Sequence, residues 1–409
     1  MGGRVVVLDH TGERGGAEIA LQRLLEALDG EWDVSVILFS DGPFRESLEH
    51  AGIATEVLEM PRRTAAQSRS RLTDPRVIAG SATDSFTFAQ RLATRLQARG
   101  PNLVVANSLK AAVLSELSSW RTGFPWVWHL HDRIAPDYLP APVVVGLRQL
   151  ARRATHVVAN SQAVAKLINL APRKVTIAYP GLPDDSFADV HVAPSPPVFG
   201  LLGRISSTKG QGEFVRAAAI VSRDHPEVRF RVVGEALFSD HQYAAEVKQL
   251  ATDLGIEDRI EWTGWARDPR LAIDEFTALV HASPVPEPFG QVIVEAMARG
   301  VPVVATVGGG VGEILHASSA TGLRAGSVLT TDRGRLVGAR DTAGLANAMK
   351  LVLSQPAETQ SLAITALRDA REQFSVAATA ANCTVAWQTA LAKPSRGWWR
   401  APRERTSPD

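Results

Sequence analysis

The chain has 409 residues, with 44 Lys and Arg against 43 Asp and Glu, 45% hydrophobic residues and a single cysteine, Cys383. The length favours two domains over one core, and the near-neutral charge argues against a nucleic-acid-binding protein, which needs excess basic residues to neutralise phosphates. One cysteine excludes an intramolecular disulfide and a multi-cysteine zinc site. No apolar run approaches the roughly 20 residues that span a bilayer, so a cytoplasmic protein is expected.

Short β-branched runs alternate with longer amphipathic segments through the first half of the chain, which is typical of a doubly wound parallel sheet. Strands are predicted at 4–9, 34–39, 54–58, 103–106, 126–130, 156–159 and 175–178. Helical patterns separate most of these strands, as at 17–28, 86–98 and 143–153. A proline-rich stretch follows, and because proline fixes φ and lacks an amide donor, a linker is predicted at 186–197.

The same alternation restarts after this linker. Strands are predicted at 198–202, 229–233, 259–262, 278–282 and 303–305. Helices are predicted at 212–224, 241–254, 289–299, 312–316 and 357–391. The sequence therefore predicts domains at 1–185 and 198–375, with 376–409 forming a helix and tail that pack back on the first domain. A ligand is expected in the cleft between two such domains.

Two segments combine basic residues with little apolar content. Residues 61–76 carry five arginines, and residues 395–409 place Trp398 and Trp399 among four arginines. For 61–76 the interpretations are a solvated surface loop, which is favoured, or a contact with an anionic acceptor or membrane surface. For the tail they are packing on the first domain, which is favoured, or a membrane interface. Peripheral membrane contact therefore stays open.

The segment 283–306 is the most informative part of the sequence. Pro288 is predicted to start a helix, where its missing N–H costs nothing, and Gly300 to end it. The amides of Phe289 and Gly290 would then lie at the positive end of the helix dipole, an arrangement that suits a diphosphate.

Two glutamates accompany this helix, Glu287 just before it and Glu295 about two turns later. The first can reach a polyol near the phosphate and the second a pair of ribose hydroxyls. A capping glutamate and a solvated helix glutamate explain the spacing equally well.

The run from Glu287 to Glu295, E-P-F-G-x-x-x-x-E, resembles the E-x7-E motif of the retaining GT-B glycosyltransferases of family four, which include sucrose synthases and mannosyltransferases. The resemblance implies an α/β fold of two Rossmann-like doubly wound domains facing across a cleft. It also implies that Glu287 positions the donor sugar and takes part in catalysis, and that Glu295 binds the ribose. Phe289, Gly290 and Gln291 would complete this part of the donor site.

The loop 203–210 resembles the G-R-x-x-x-x-K-G loop of the same family and contributes Arg204 and Lys209. Both are predicted to bind the donor diphosphate and to stabilise the charge that it gains as the sugar bond breaks. Because such cations replace a metal, no metal and no cofactor are expected, which agrees with the absence of an Asp-x-Asp sequence.

The turn after the first strand resembles the G-G-x-E loop of the family, and Gly15 and Gly16 are therefore predicted to lie near the donor phosphate and sugar. Glycines here permit close backbone approach. Glu18 is expected to serve the first helical turn.

The family often places a histidine at the end of the strand that corresponds to 126–130. His131 is the predicted catalytic residue near the donor sugar, with His129 as a supporting alternative. A pair of structural histidines is the competing interpretation, whereas a zinc pair lacks a third ligand at fitting local spacing. Asp132 is predicted either to orient the imidazole or to meet the acceptor hydroxyl, and Arg133 is predicted to meet an acceptor phosphate.

Two further segments also resemble the family without a settled role. Asn160 and Ser161 follow a strand, where a helix N-cap explains them equally well. The glycines of 308–310 can let backbone approach the nucleotide, and Glu313 can cap its own helix.

Together these features predict a retaining, hexosyltransferase-like glycosyltransferase of polysaccharide or glycoconjugate biosynthesis. It would move a sugar from a nucleotide-diphosphate sugar (UDP, GDP, ADP or dTDP) to a saccharide, lipid-linked or small-molecule hydroxyl acceptor. No residue is an evident nucleophile, so same-face attack with the leaving phosphate as base is predicted. An epimerase or phosphorylase fits the sequence less well. The alternative from another class is a catalytically silent GT-B-like subunit that binds a partner protein or a lipid.

Overall fold

The structure, a computed structural model, describes residues 3–28, 30–61, 75–189, 191–237, 240–317 and 322–393. The basic segment 61–76, apart from its ends, and the tail 395–409 lie outside the described residues.

The chain divides into two compact units. Among the described residues, the first unit comprises those up to Asn160, Val164–Ala178 and those from Ala377 onward, and the second unit comprises Ser161–Ala163 and those of Tyr179–Val376. Each unit contains one seven-stranded sheet. The predicted α/β class with two largely parallel, helix-flanked sheets is confirmed.

The sheet of the first unit is parallel throughout, in the order β3-β2-β1-β4-β5-β6-β7. Its strands are β1 (Arg4–Asp9), β2 (Asp33–Leu38), β3 (Ala54–Val57), β4 (Leu103–Ala106), β5 (Trp126–Leu130), β6 (His156–Ala159) and β7 (Val175–Ile177). The helices in this part of the chain are α1 (Gly16–Ala27), α2 (Pro43–His50), α3 (Pro75–Arg99), α4 (Leu109–Thr122), α5 (Ala141–Arg153) and α6 (Gln162–Ile168).

The sheet of the second unit has the order β10-β9-β8-β11-β12-β14-β13, and only β13 runs antiparallel to its neighbour. Its strands are β8 (Val198–Leu202), β9 (Arg229–Val233), β10 (Ile260–Gly264), β11 (Ala278–His281), β12 (Val303–Thr306), β13 (Leu329–Thr330) and β14 (Arg335–Val337). The helices that follow in the chain are α7 (Gln211–Asp224), α8 (His241–Asp253), α9 (Pro269–Asp274), α10 (Gln291–Ala298), α11 (Val311–Ile314), α12 (Thr342–Ser354), α13 (Pro356–Gln373) and α14 (Val376–Leu391).

Buried strands agree with the sequence prediction better than helices do. The bounds of β1, β4, β5, β6, β8 and β9 are as predicted. The predictions give no bounds for α2, α4, α6, α9, α12, β13 and β14. Helix α3 begins at Pro75, well before the predicted residue 86. The predicted helix 357–391 is two helices, because the chain turns at Phe374, which is buried in the core of the second unit.

Helix α14 belongs to the core of the first unit. Trp387 is fully buried, and its indole Nε1–H donates a hydrogen bond to Nε2 of His129 over 3.1 Å. Its ring also meets Trp32 edge to face, with centroids 5.4 Å apart. Cys383 lies in the same cluster, and burial raises the pKa of its thiol to about 12, so this thiol is unreactive.

Within the described residues, no helix combines the length and the apolar character that crossing a bilayer requires.

Candidate functional site

In the second unit, the loop after β8 lies against the carboxyl end of β11. Gly210 has a left-handed φ of +79°, and a Cβ atom there would lie only 1.9 Å from the carbonyl oxygen of Ala282. Only glycine therefore permits this approach. The approach brings Lys209 beside the chain that leaves β11, where Oγ of Ser283 lies 3.0 Å from the carbonyl oxygen of Thr208.

Glu287 is the centre of this cluster. Its Oε1 accepts hydrogen bonds from Nζ of Lys209 over 2.8 Å and from Oγ of Ser283 over 2.6 Å. Nε2 of His281, the last residue of β11, lies 3.6 Å from the same oxygen. The carboxylate therefore has its cation in place and is fixed in one orientation.

The electrostatics of Glu287 follow from these contacts. Burial alone raises the pKa of this carboxyl, but the positive charge of Lys209 and the contact with His281 outweigh burial and lower the pKa well below its usual range. Glu287 is thus an anion at neutral pH, although only 13% of its side chain is exposed.

The glycines of 308–310 hold the backbone of Glu287. Gly309 forms a β-bridge with Glu287, and the amide of Gly310 donates to the Glu287 carbonyl over 3.0 Å. A Cβ atom at Gly309 would lie 1.8 Å from that carbonyl oxygen, and the φ of Gly309 is +63°. In this structure the glycines allow their own backbone to approach that of Glu287, a role other than the predicted approach to a nucleotide.

We therefore expect Gly309→Ala to displace Glu287. The methyl group clashes with backbone, so the loss of stability should reach about 2–4 kcal/mol, whereas the left-handed φ alone costs about 1–2 kcal/mol. Gly255→Ala is the matched control, because Gly255 has a φ of +67° and nothing within 4 Å of its would-be Cβ. Thermal unfolding of both variants measures the difference. Equal losses would show that Gly309 is kept only for its φ.

Helix α10 begins later than the sequence predicts. Its first residue is Gln291 and its N-cap is Gly290, with a φ of +114°, so the prediction that Pro288 starts the helix is wrong. The carbonyl of Pro288 instead accepts a hydrogen bond from Ser161. Phe289 is buried, with its ring stacked on Tyr179 and edge-on to Phe374.

The later start changes which amides are unpaired. The first turn now exposes those of Gln291 and its successor, because the first amides of a helix have no intrahelical acceptor. The side-chain amide of Gln291 donates to Oε1 of Glu295 over 3.2 Å, and both side chains are half-buried. These two residues form one polar edge of α10.

Arg204 has a partner different from that of Lys209. Its Nε lies 3.8 Å from a carboxylate oxygen of Asp240, and 44% of its side chain is exposed. The carbonyl of Arg204 accepts a hydrogen bond from Gln211 at the start of α7, which fixes the backbone of the loop. The guanidinium is therefore available to a solvent-borne anion.

Glu313 does not cap its own helix. Its carboxylate accepts hydrogen bonds from the amides of Gln162 and Ala163, over 2.8 and 2.6 Å, and from the hydroxyl of Tyr179 over 3.1 Å. It thus caps the start of α6, and the prediction for this residue is wrong. No local pattern indicates a contact between residues about 150 positions apart.

In the first unit, Gly15 is the N-cap of α1 and Gly16 its first residue. The amide of Gly15 donates to Oε2 of Glu18 over 3.0 Å, so Glu18 satisfies one of the free amides of the first turn. Burial raises the pKa of Glu18 to about 7, and the charge of Asp9 adds to the rise.

The two histidines near the end of β5 have different environments. His129 is a core residue that accepts from Trp387, and burial lowers its pKa to about 3, with a further contribution from His131. His131 lies one residue beyond the strand, half-buried, with Nε2 2.9 Å from Oδ1 of Asn107. Burial lowers the pKa of His131 as well, against the charges of Asp132 and Asp9, so its imidazole is neutral at pH 7.

The two predicted acceptor residues follow His131 directly. Asp132 lies 3.5 Å from the hydroxyl of Tyr138, and Arg133 donates to the carboxylate of Asp137 over 3.0 Å. Both side chains are half-buried.

Sequence reasoning missed several polar residues that contact the predicted ones directly or, for Asp9, through Asn107. They are Asp9, Asn107, His281 and Ser283. Each stands at or just after the carboxyl end of a parallel strand, where ligand-binding residues of open α/β sheets concentrate. Their position at the ends of predicted strands is the sequence feature that could have identified them.

Two family profiles match the chain. "Glycosyl transferase 4-like domain" matches residues 15–181, and "Glycosyl transferases group 1" matches residues 184–369. Among relatives, the D-inositol 3-phosphate glycosyltransferase of Mycobacteroides abscessus is 30% identical over 260 residues, which is 58% of this chain and 58% of that protein. The enzyme of the same name from Rhodococcus opacus is 29% identical over 67% of this chain and 64% of its own length. The chain thus matches less than two thirds of either relative.

Solved structures match over a larger share. Anabaena Alr3699/HepE in complex with UDP and glucose is 28% identical, with a TM-score of 0.76 over 93% of this chain and 98% of that one. A complex of the same protein with UDP-glucose is 27% identical, with a TM-score of 0.77 over 95% of this chain and 100% of that one. Sucrose-phosphate synthase from Thermosynechococcus elongatus is 19% identical, with a TM-score of 0.75 over 95% and 99%, which shows the fold alone.

Proposed function

The chain belongs to the group 1 glycosyltransferases and has their two-domain GT-B fold, and we propose that it transfers a sugar from a nucleotide-diphosphate sugar to a hydroxyl acceptor with retention of anomeric configuration. The observation that carries this proposal is the half-buried contact between Lys209 and Glu287.

The chemical problem is the charge that gathers on the diphosphate as the anomeric C–O bond breaks. Fixed cations that face this charge lower the barrier because they need no reorganisation during the reaction. Lys209, Arg204 and the free amides at the start of α10 are the groups of the second unit that can supply positive potential. The reaction is therefore proposed to need no metal ion and no cofactor.

Glu287 is proposed to bind hydroxyls of the donor sugar, and Glu295 those of the ribose. A carboxylate that is ionised and fixed can accept two hydroxyl hydrogen bonds in a defined direction. Because Glu287 already accepts from Lys209, it is a poor nucleophile. Same-face attack, with the leaving phosphate as the base, then accounts for retention.

The donor base and the acceptor are proposed from the relatives. The structures of Anabaena Alr3699/HepE with UDP and with UDP-glucose favour a uridine nucleotide. The relatives named D-inositol 3-phosphate glycosyltransferase favour a polyol phosphate as the first acceptor to test. In this proposal Asp132 meets the acceptor hydroxyl and Arg133 its phosphate.

The proposal is tested by binding and by product stereochemistry. A ligand that binds only the folded protein raises the unfolding temperature, so we expect UDP to stabilise the protein more than GDP, ADP or dTDP do, equally with and without Mg²⁺. Glu295→Gln should weaken this shift, whereas Glu372→Gln, an exposed glutamate of α13, should not.

Transfer from UDP-glucose to inositol phosphate, followed by ¹H NMR of the anomeric proton, then reads the configuration. An inverted product would exclude retention, and a protein stabilised by UDP but without turnover on any acceptor would favour the silent subunit.

A further inference from the structure

A buried polar chain links the carboxyl ends of three neighbouring strands of the first unit. Asp9 is the last residue of β1, Asn107 follows β4, and His131 follows β5, and these strands are adjacent in the order β1-β4-β5. Asp9 is 0% and Asn107 1% exposed. Such buried polar groups are costly unless each one is hydrogen-bonded in a fixed sense.

The direction of each hydrogen bond in this chain follows from its first member. Nδ2 of Asn107 lies 2.7 Å from Oδ2 of Asp9, while the other carboxylate oxygen accepts the backbone amide of His10 over 2.6 Å. A carboxylate oxygen can only accept, so the amide nitrogen of Asn107, and not its oxygen, must face Asp9. This fixes the orientation of the Asn107 side chain.

The same logic fixes the proton on His131. With its nitrogen committed to Asp9, Asn107 turns Oδ1 to the histidine, 2.9 Å from Nε2. That oxygen is also only an acceptor, so Nε2 carries the proton. In a neutral imidazole the other nitrogen, Nδ1, then holds a lone pair. Within the described residues nothing donates to Nδ1.

The backbone of His131 is also fixed by a hydrogen bond. Nδ2 of Asn160, the residue after β6, donates to the carbonyl of His131 over 3.2 Å. The ring is therefore attached through both its main chain and its Nε2 atom, which leaves little freedom for the ring to turn over.

We propose that Asp9 and Asn107 are positioning residues that hold His131 as its Nε2–H tautomer, so that Nδ1 accepts a hydrogen bond from a hydroxyl of the donor sugar. The part that concerns the sugar rests on the proposed function, whereas the part that concerns the tautomer does not. In the opposite tautomer Nδ1 would carry a proton and could meet only an acceptor.

The tautomer can be read directly by ¹⁵N NMR of the histidine-labelled full chain without substrate. We expect the His131 signal, identified by its loss in His131→Ala, to show a protonated Nε2 and an unprotonated Nδ1 at pH 7.5. Asn107→Leu should give averaged shifts from both tautomers. Thr176→Val is the matched control, because it removes the partner of another buried histidine, His156, in the same sheet.

A double-mutant cycle separates positioning from a merely structural role. We expect Asn107→Leu to lower kcat/KM about 10- to 100-fold in the wild-type background but less than threefold in the His131→Ala background, because its effect passes through His131. Fully additive losses, or a wild-type spectrum with the proton on Nδ1, would overturn the inference. The wild-type spectrum depends on no variant other than His131→Ala, which assigns the signal.

The experiments distinguish a failure of the proposed function from a failure of the positioning role. A chain without transferase activity would still give the Nε2–H spectrum if the positioning is correct. Active transfer with an Nδ1–H or freely averaged ring would refute the positioning and leave the proposed function intact.

Discussion

Replacement of Lys209 by methionine is expected to lower transferase turnover about 100- to 1,000-fold, the usual loss when one preorganised charge-stabilising group is removed. The loss has two sources in this structure. The cation no longer faces the leaving diphosphate, and Glu287, which is ionised and only 13% exposed, loses the partner 2.8 Å away. Steady-state kinetics at saturating donor measure the effect.

The control for this variant is Lys350→Met, which removes a lysine of the second unit that pairs with Asp224 at the surface. Turnover of the control should equal that of the wild type, because exposed ion pairs contribute little. If Lys209→Met keeps turnover within threefold of wild type while folding normally, Lys209 has no role in stabilising the leaving group.

The second large effect is on stability. Trp387→Ala is expected to destabilise the first unit by about 3–5 kcal/mol, because it opens a large cavity and leaves Nε2 of His129 without its donor. Tryptophan fluorescence is a suitable readout, since Trp32, Trp120, Trp126 and Trp128 also belong to this unit.

Trp120→Ala serves as the comparison, because 66% of Trp120 is exposed and a change of less than about 1 kcal/mol is expected. A loss in Trp387→Ala as small as that of the comparison would mean that α14 contributes little to the core of the first unit.

Acid provides an independent test of the burial of His129 in this core. The folded pKa of His129 is about 3, below its ordinary value of 6.5, so between these values the unfolded chain binds the extra proton. Stability from this group is therefore present above pH 6.5 and is lost as the pH falls toward 3, by about 1.4 kcal/mol per pH unit. His129→Gln should flatten the pH dependence relative to wild type, and identical slopes would contradict the assignment.

The sequence allowed much of the fold to be predicted because buried parallel strands are short, β-branched and bounded by turn residues. The bounds of β4, β5 and β8 needed no tertiary information. No bounds are predicted for helix α4 because its serines and exposed apolar residues weaken the amphipathic pattern. The predicted start of α10 lies before the observed one because Pro288 resembles a proline at the first position of a helix. In the structure Gly290, with its left-handed φ, sets that start.

The candidate site was predictable only where a local motif marks it. Glu287 and Lys209 were named from two motifs, yet nothing local indicates that these residues, 78 positions apart, touch. His281 and Asn107 belong to no motif, and only the order of strands in each sheet makes them neighbours of Glu287 and His131. Their contacts with Glu287 and His131 can be recognised only when the order of the parallel strands is known.

The division of the chain has a consequence for the order in which the protein is made. Helix α14 follows the whole of the second unit in the sequence but supplies Trp387 and Cys383 to the core of the first. Domains generally fold as units during synthesis. On the ribosome, all residues of the second unit are therefore synthesised before α14, although synthesis of the first unit begins earlier. The half that carries His131 is the last to be completed, so a nascent chain that ends before α14 has the predicted diphosphate-binding residues without a finished core around its histidine.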